Sequence, residues 1–255
     1  LLVLPDVQQY IRTMTVLLEN FEALPAAQKR RGRPFTHTQR SFLLFFVFMH
    51  LRRITAFRAQ HRWLATHPDE AALFAFAAIP HRTSIARRCK ALAASLEALI
   101  AFTAAESAAL DEAFTSQTLA TDKSLFKAQG PLWHQKQRLA GIIPDGLRHL
   151  DTDATWSKSA YHGWVYGYGL HLTVNAAGFP QSACVETASV SESTIYAQQE
   201  AALLSSGATS LLGDDAYTNL HRVTRCAKQG VVFLTPGLRL GNGPKQSAYK
   251  EFLQL

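Results

Sequence analysis

Apolar residues return at helical intervals through the first 115 positions. Val7, Tyr10, Ile11, Met14, Leu17, Leu18 and Phe21 share one face of a predicted helix that Pro25 closes. The polar loop AAQKRRGRP (26–34) leads to a strongly apolar helix from about Thr38 to Arg53. Further helices are expected near 55–66 and 69–78. After Pro80, Ile85, Cys89, Leu92, Leu96 and Leu99 step by four, three, four and three. That spacing draws one stripe along one helix, with Thr83 or Ser84 as its N-cap.

From about 117 the period changes. LATDKSLF (119–126) reads as a strand, and GYGLHLTVN (167–175) alternates as a strand does. QSACVETASV (181–190) follows the turn AAGFP, so these two form a hairpin. Residues 193–206 read as a helix, SLLGD (210–214) as a short strand, 217–229 as a helix and VVFLTP (231–236) as a strand. The expected order is a strand, a long connection, two strands, then helix, strand, helix, strand. The fold class is α/β, with a sheet core preceded by an all-α domain.

Composition narrows the setting. The 255 residues are 47% hydrophobic and 18% charged, a globular balance that excludes a disordered or collagen-like chain. The longest apolar run, FLLFFVFM (42–49), has eight residues, and a bilayer span needs about twenty. No membrane span is expected, and Pro5 and Asp6 interrupt any leader-like start. The chain opens on Leu1 rather than methionine, as a fragment would. Cys89, Cys184 and Cys226 stand far apart, which fits a reducing cytoplasm and no cysteine zinc site.

Charge is uneven. The net charge is +7, yet the stretch from Lys29 to Lys90 holds thirteen Lys or Arg against Asp69 and Glu70 alone. Such density suits a polyanionic partner, because neutralised phosphates release counterions. Arg82, Arg87, Arg88 and Lys90 open the helix after Pro80, in the manner of a helix-turn-helix reading a major groove. A plain amphipathic helix with a solvated basic face gives the same pattern. Arg31 and Arg33 in RGRP resemble a minor-groove hook, with an ordinary basic turn as the plainer reading.

Two acids stand at predicted strand ends, Asp122 in ATDKS and Asp214 in LLGDDAY. Open α/β sheets place ligands there, and Mg²⁺ is commonly held by one or two carboxylates plus substrate phosphate. With a basic domain beside them, they point to metal-dependent phosphodiester chemistry. A strand-terminal Asp also caps helices, as Asp215 could for a helix beginning near Tyr217.

The blocks ATDKSLFKAQGPLWHQK, LDTDATWSKSAYHGWVYGYGLHLTV and LLGDDAYTN together resemble the DDE transposases of bacterial insertion sequences. The likeness is to the IS-four-type enzymes and covers about 115–236. It implies a helical, basic DNA-binding domain over 1–115 and a ribonuclease-H-like catalytic core over 116–255. Asp122 would be the first metal-binding carboxylate and Asp214 the second, favoured over Asp215 because Gly213 precedes it and Tyr217 follows. Two Mg²⁺ ions, or Mn²⁺ in their place, would serve cleavage and strand transfer. Partners would be double-stranded DNA, as transposon ends and target, and a second copy of the chain in a homodimeric synaptic complex on the bacterial nucleoid.

The resemblance also requires a glutamate on a later helix, after an arginine. The only acid beyond Asp215 is Glu251, in SAYKEFLQL, which has no arginine. The third acid is therefore expected beyond Leu255 in a longer chain, with Glu251 as the substitute. Trp133, His134 and Lys136 would line the DNA or pack as a cluster. Asp151 and Asp153 fall in an auxiliary block with a structural or outer-shell role. Lys158, Tyr161, His162, Trp164 and Tyr168 interleave aromatics with cations, suited to single-stranded contacts or to strand packing. His171 reads as a satisfied core histidine. At Gly169 many relatives carry a lysine, so a phosphate contact would be missing here. Two rival readings are a DNA-binding remnant without catalysis and a metal-dependent nuclease.

Overall fold

The computed structural model describes residues 6–22, 36–111, 114–115, 117–147, 149–159 and 161–236. By its contacts the chain divides into two compact units, Leu1–Glu106 and Ser107–Leu255.

The first unit is helical. Helix α1 (Val7–Leu17) starts where the Asp6 carboxylate accepts the Gln9 N–H at 2.7 Å. Helix α2 (Gln39–Leu51) is capped by Thr38, whose hydroxyl accepts the Ser41 N–H at 3.0 Å. It is apolar nearly all round, and Phe42, Leu43, Phe45, Phe46, Phe48 and Met49 are buried. A helix of that kind belongs inside a core. Around it stand α3 (Phe57–Thr66), α4 (Pro68–Leu73), α5 (Arg82–Ala91) and α6 (Ala93–Leu110), which add Leu64, Ile85 and Leu99; Phe74, just after α4, joins them.

Two expectations change here. The stripe after Pro80 is not one helix: α5 ends at Leu92, whose φ of −99° and ψ of 4° break the helical path before α6 begins. Leu92 is nevertheless fully buried, so the stripe carries on across the break. The N-cap of α5 is His81, which precedes both candidates, with its Nδ1 facing the Thr83 N–H at 3.4 Å. Among the described residues α6 alone has the length and mean hydropathy, 1.3, of a membrane span. It carries Glu97 and Glu106, and Leu99 and Phe102 join the helical core.

The second unit is built on a six-stranded mixed sheet. Its strands are β1 (Thr118–Lys127), β2 (Thr155–Ser159), β3 (Gly163–Asn175), β4 (Pro180–Thr187), β5 (Ser210–Leu212) and β6 (Val232–Leu234). Helix α7 (Gln135–Leu139) lies in the long connection, α8 (Glu192–Ser205) follows β4, and α9 (Leu220–Lys228) separates β5 from β6. Antiparallel β1 and β3 form the centre; β2 and β4 pair end to end along the other side of β3. Beyond β1 come β5 and β6, both parallel to it. Four antiparallel strands, with β2 and β4 end to end, followed by two helix-linked parallel ones agree with the expected ribonuclease-H-like core. Strand β2 departs from expectation: TWSKS is short and polar and carries no apolar alternation.

The two faces of this sheet differ. Leu119, Leu211 and Phe233 lie in one row across β1, β5 and β6 and pack with Tyr196, Leu203, Val223 and Cys226 of α8 and α9. The next row, Ala120, Leu212 and Leu234, faces the other way, and Leu212 and Leu234 remain 37% and 40% exposed. Among the described residues, only one end of that second face is covered, by a cluster of Trp133, Ala154 and Tyr166.

Candidate active site

Asp122 does not end its strand. It is the fifth residue of β1, opposite Leu172 of β3, and it is exposed because its side chain lies on the uncovered face. Asp214 stands just past β5. The last paired residues of β1 and β5 are Ala120 and Leu212, so each aspartate lies two residues beyond its partner in a parallel register. Neighbouring strands run about 4.8 Å apart, and equal offsets place both carboxylates on the same face.

The Asp214 side chain accepts the Ala216 N–H at 2.9 Å and caps the 3₁₀ turn Asp215–Tyr217. Asp215 is therefore not the cap of α9, a role that Asn219 takes. Burial raises the Asp214 carboxyl above the usual range; the Ala216 N–H opposes this, and the carboxylates of Asp122, Glu192 and Asp215 add to it. Like charges that resist joint ionisation attract a cation.

On the opposite face, a buried cation backs each aspartate. The Lys123 ammonium donates to the carbonyls of Ala188 (3.0 Å) and Val190 (2.6 Å) and lies 3.7 Å from a Glu192 carboxylate oxygen. Arg222 of α9, 3% exposed, donates to the Tyr217 carbonyl at 2.6 Å and to the Ser193 hydroxyl at 2.9 Å. Its guanidinium stacks 4.2 Å from the Tyr196 ring centroid. The sequence pattern does not single out either residue: Lys123 stands between Asp122 and Ser124, and Arg222 lies in the polar run LHRVTRCAK.

His171 is 1% exposed, yet neither ring nitrogen has a hydrogen-bond partner among the described residues. It is thus buried but not satisfied. Burial lowers its pKa, the neighbouring Lys123 charge lowers it further, and Glu192 and Asp122 oppose the shift. Asp151 anchors the covered end of the open face: Tyr168 donates to its carboxylate at 2.8 Å and Tyr166 to its carbonyl. Trp133 is a packing residue, buried, with its indole N–H on the Ile142 carbonyl at 2.8 Å. Lys136 on α7 and Lys158 on β2 are exposed, and Lys158 pairs across the hairpin with Trp164, itself 61% exposed.

In the helical unit Arg82, Arg87 and Lys90 sit on α5, with Arg82, Arg87 and Lys90 all exposed to solvent. Arg88 is half-buried with its guanidinium 5.6 Å from the Phe42 ring centroid. Arg31, Arg33 and Glu251 lie outside the described residues. Cys89, Cys184 and Cys226 are free thiols.

A family model of the transposase DDE domain matches residues 113–251. The chain belongs to the DDE transposase family. The match covers the whole sheet and both aspartates, and the family's substrate is DNA. No curated protein and no solved structure matches the chain. Among this transposase's described residues, no three His, Cys, Asp or Glu side chains are grouped to hold a metal. Two carboxylates on one face nonetheless suit a hard cation that shares its shell with substrate phosphate.

Proposed function

We propose that this chain is an insertion-sequence transposase of the IS-four type that cleaves element ends and joins them to target DNA with divalent metal held by Asp122 and Asp214. One observation carries the reading: the two aspartates lie at equal offsets from the last paired residues of two parallel neighbouring strands, on a sheet face that α8 and α9 leave open. A bound Mg²⁺ or Mn²⁺ supplies Lewis-acid polarisation of a phosphodiester and a more acidic water. Asp122 offers a carboxylate in mid-strand, where the sheet restrains it. Asp214 keeps one oxygen on the Ala216 N–H, which fixes the carboxylate plane. The helical unit, with Arg82, Arg87 and Lys90 exposed on α5, holds duplex DNA; Lys136 and Lys158 give phosphate contacts on the sheet unit. Arg31 and Arg33 add cationic contacts to DNA, a second copy completes the synaptic pair, and Glu251 is the candidate third acid.

The test uses the full chain with the inverted repeats that flank its own reading frame. Mg²⁺ or Mn²⁺ gives cleavage and strand-transfer products, and Asp122→Asn or Asp214→Asn lowers them at least about a hundredfold while DNA binding stays. Glu251→Gln decides whether that residue serves as third acid. Cleavage without joining would identify a nuclease. A DNA-binding protein without catalysis is the second reading, favoured by the pair of carboxylates lacking a third among the described residues. It predicts steep salt dependence and no metal-dependent product.

A further inference from the structure

Lys123 follows Asp122 directly on β1, and successive strand residues point to opposite faces. Its ammonium does not bond within its own strand or to the adjacent one. It reaches Ala188 and Val190, which follow β4, and β4 lies on the far side of β3 from β1. The lysine stem must therefore cross β3. It does so at Gly169, where an added Cβ would stand 2.6 Å from Lys123 Cε and 3.5 Å from both Cδ and Cγ. Gly169 has no positive φ to explain it, so what its missing side chain provides is room for the Lys123 stem on this path. Once across, the side chain is only 5% exposed. A buried ammonium persists only when its donors are met, here by two carbonyls and Glu192. The turn it grips is also tied to β3, through the Ala188 N–H on the Gly167 carbonyl at 3.0 Å.

We infer that Lys123 and Gly169 form one positioning unit for Asp122: Gly169 is the gap through which the Lys123 stem passes to anchor the residue beside Asp122 on the turn into α8. This rests on the reading of Asp122 as a metal-binding carboxylate. The anchor fixes the part of β1 where, beyond Ala120, the pairing with β5 has ended and, among the described residues, only β3 pairs with the strand. Lys123 and Gly169 touch no reacting group; they act through the neighbouring carboxylate.

The unit is tested in the full chain with Lys123→Ala, Gly169→Ala, the double variant and Asp122→Asn. Mn²⁺ affinity is read by electron paramagnetic resonance, and the Asp122 carboxyl-carbon resonance by NMR at fixed pH. Each single variant is expected to weaken Mn²⁺ binding about tenfold, the usual scale for residues that orient a ligand. The double variant should be no weaker than Lys123→Ala, because Gly169→Ala does its damage by evicting a stem that is already gone. The Asp122 resonance should move in both single variants and reach the same place in the double. Additive losses would overturn the unit. So would a lower unfolding midpoint with unchanged Mn²⁺ affinity and an unmoved resonance, which describes a merely structural pair. If Asp122→Asn leaves Mn²⁺ binding intact, the metal reading fails, and the resonance still decides the pair. Should Lys123→Ala fail to fold, Lys123→Met keeps the stem and removes the charge. Its resonance should still move, and Gly169→Ala should still be harmful beside it.

Discussion

The helical unit and the sheet unit use their apolar residues differently. In the first, α2 is surrounded and its phenylalanines meet those of neighbouring segments, as with Phe45 and Phe74 at 5.7 Å between centroids. Arg82, Arg87 and Lys90 lie outside this filled core, exposed on α5. The sheet unit fills one face with α8 and α9 and leaves Leu212, Leu234 and Val185 partly in water. Asp122 can stand in mid-strand only because the second face is open. A filled core leaves the helical unit its outer surface to present, and the incomplete layer of the sheet unit leaves room for an exposed carboxylate in mid-strand.

The largest test of this contrast is Phe45→Ala. It should cost about 3–5 kcal/mol and unfold the helical unit, seen as an early transition in denaturant, while the sheet amides keep their exchange protection. Arg222→Met comes next, at about 2 kcal/mol, since it leaves the Tyr217 carbonyl and the Ser193 hydroxyl without a donor. Mn²⁺ affinity should fall with it, because the turn carrying Asp214 loses its support. Replacing Arg82, Arg87 and Lys90 together by Ala should flatten the salt dependence of DNA binding, by about 0.9 in log–log slope for each phosphate no longer neutralised. An unchanged slope would move DNA recognition away from α5.

His171 gives a smaller, pH-dependent effect. Its folded pKa is lowered by burial and then by Lys123, so the unfolded chain takes up the proton first. The stability it contributes is complete above about pH 6.5 and is lost as pH falls below that value. His171→Leu should flatten that part of the pH–stability curve. The smallest effect is expected for Leu234→Ser on the open face, within about 0.5 kcal/mol. A loss of about 2 kcal/mol or more would mean that something covers this row.

Much of the architecture is legible in the sequence because it is periodic. The alternation at 167–175 is the C-terminal part of β3, and the apolar run at 42–49 is the core of α2. Asp122 and Asp214 are legible as types in a pattern, but their shared offset depends on β1 and β5 lying side by side, a pairing of Ala120 with Leu212 far along the chain. What stays hidden is decided at long range. The break at Leu92 leaves the stripe intact, so spacing alone cannot reveal it. Lys123 has the look of an ordinary strand-surface lysine, and its partners lie 65 and 67 residues away. His171 has the look of a satisfied core residue, because neighbours on a strand say nothing about what faces a ring nitrogen.

The crossing of Lys123 over Gly169 also constrains descent. On this reading the two codons do not drift independently: a side chain at 169 makes the Lys123 stem shift from its path. A lineage that acquires lysine at 169 is expected to have given up the long residue at 123 beforehand, with an intermediate carrying small residues at both.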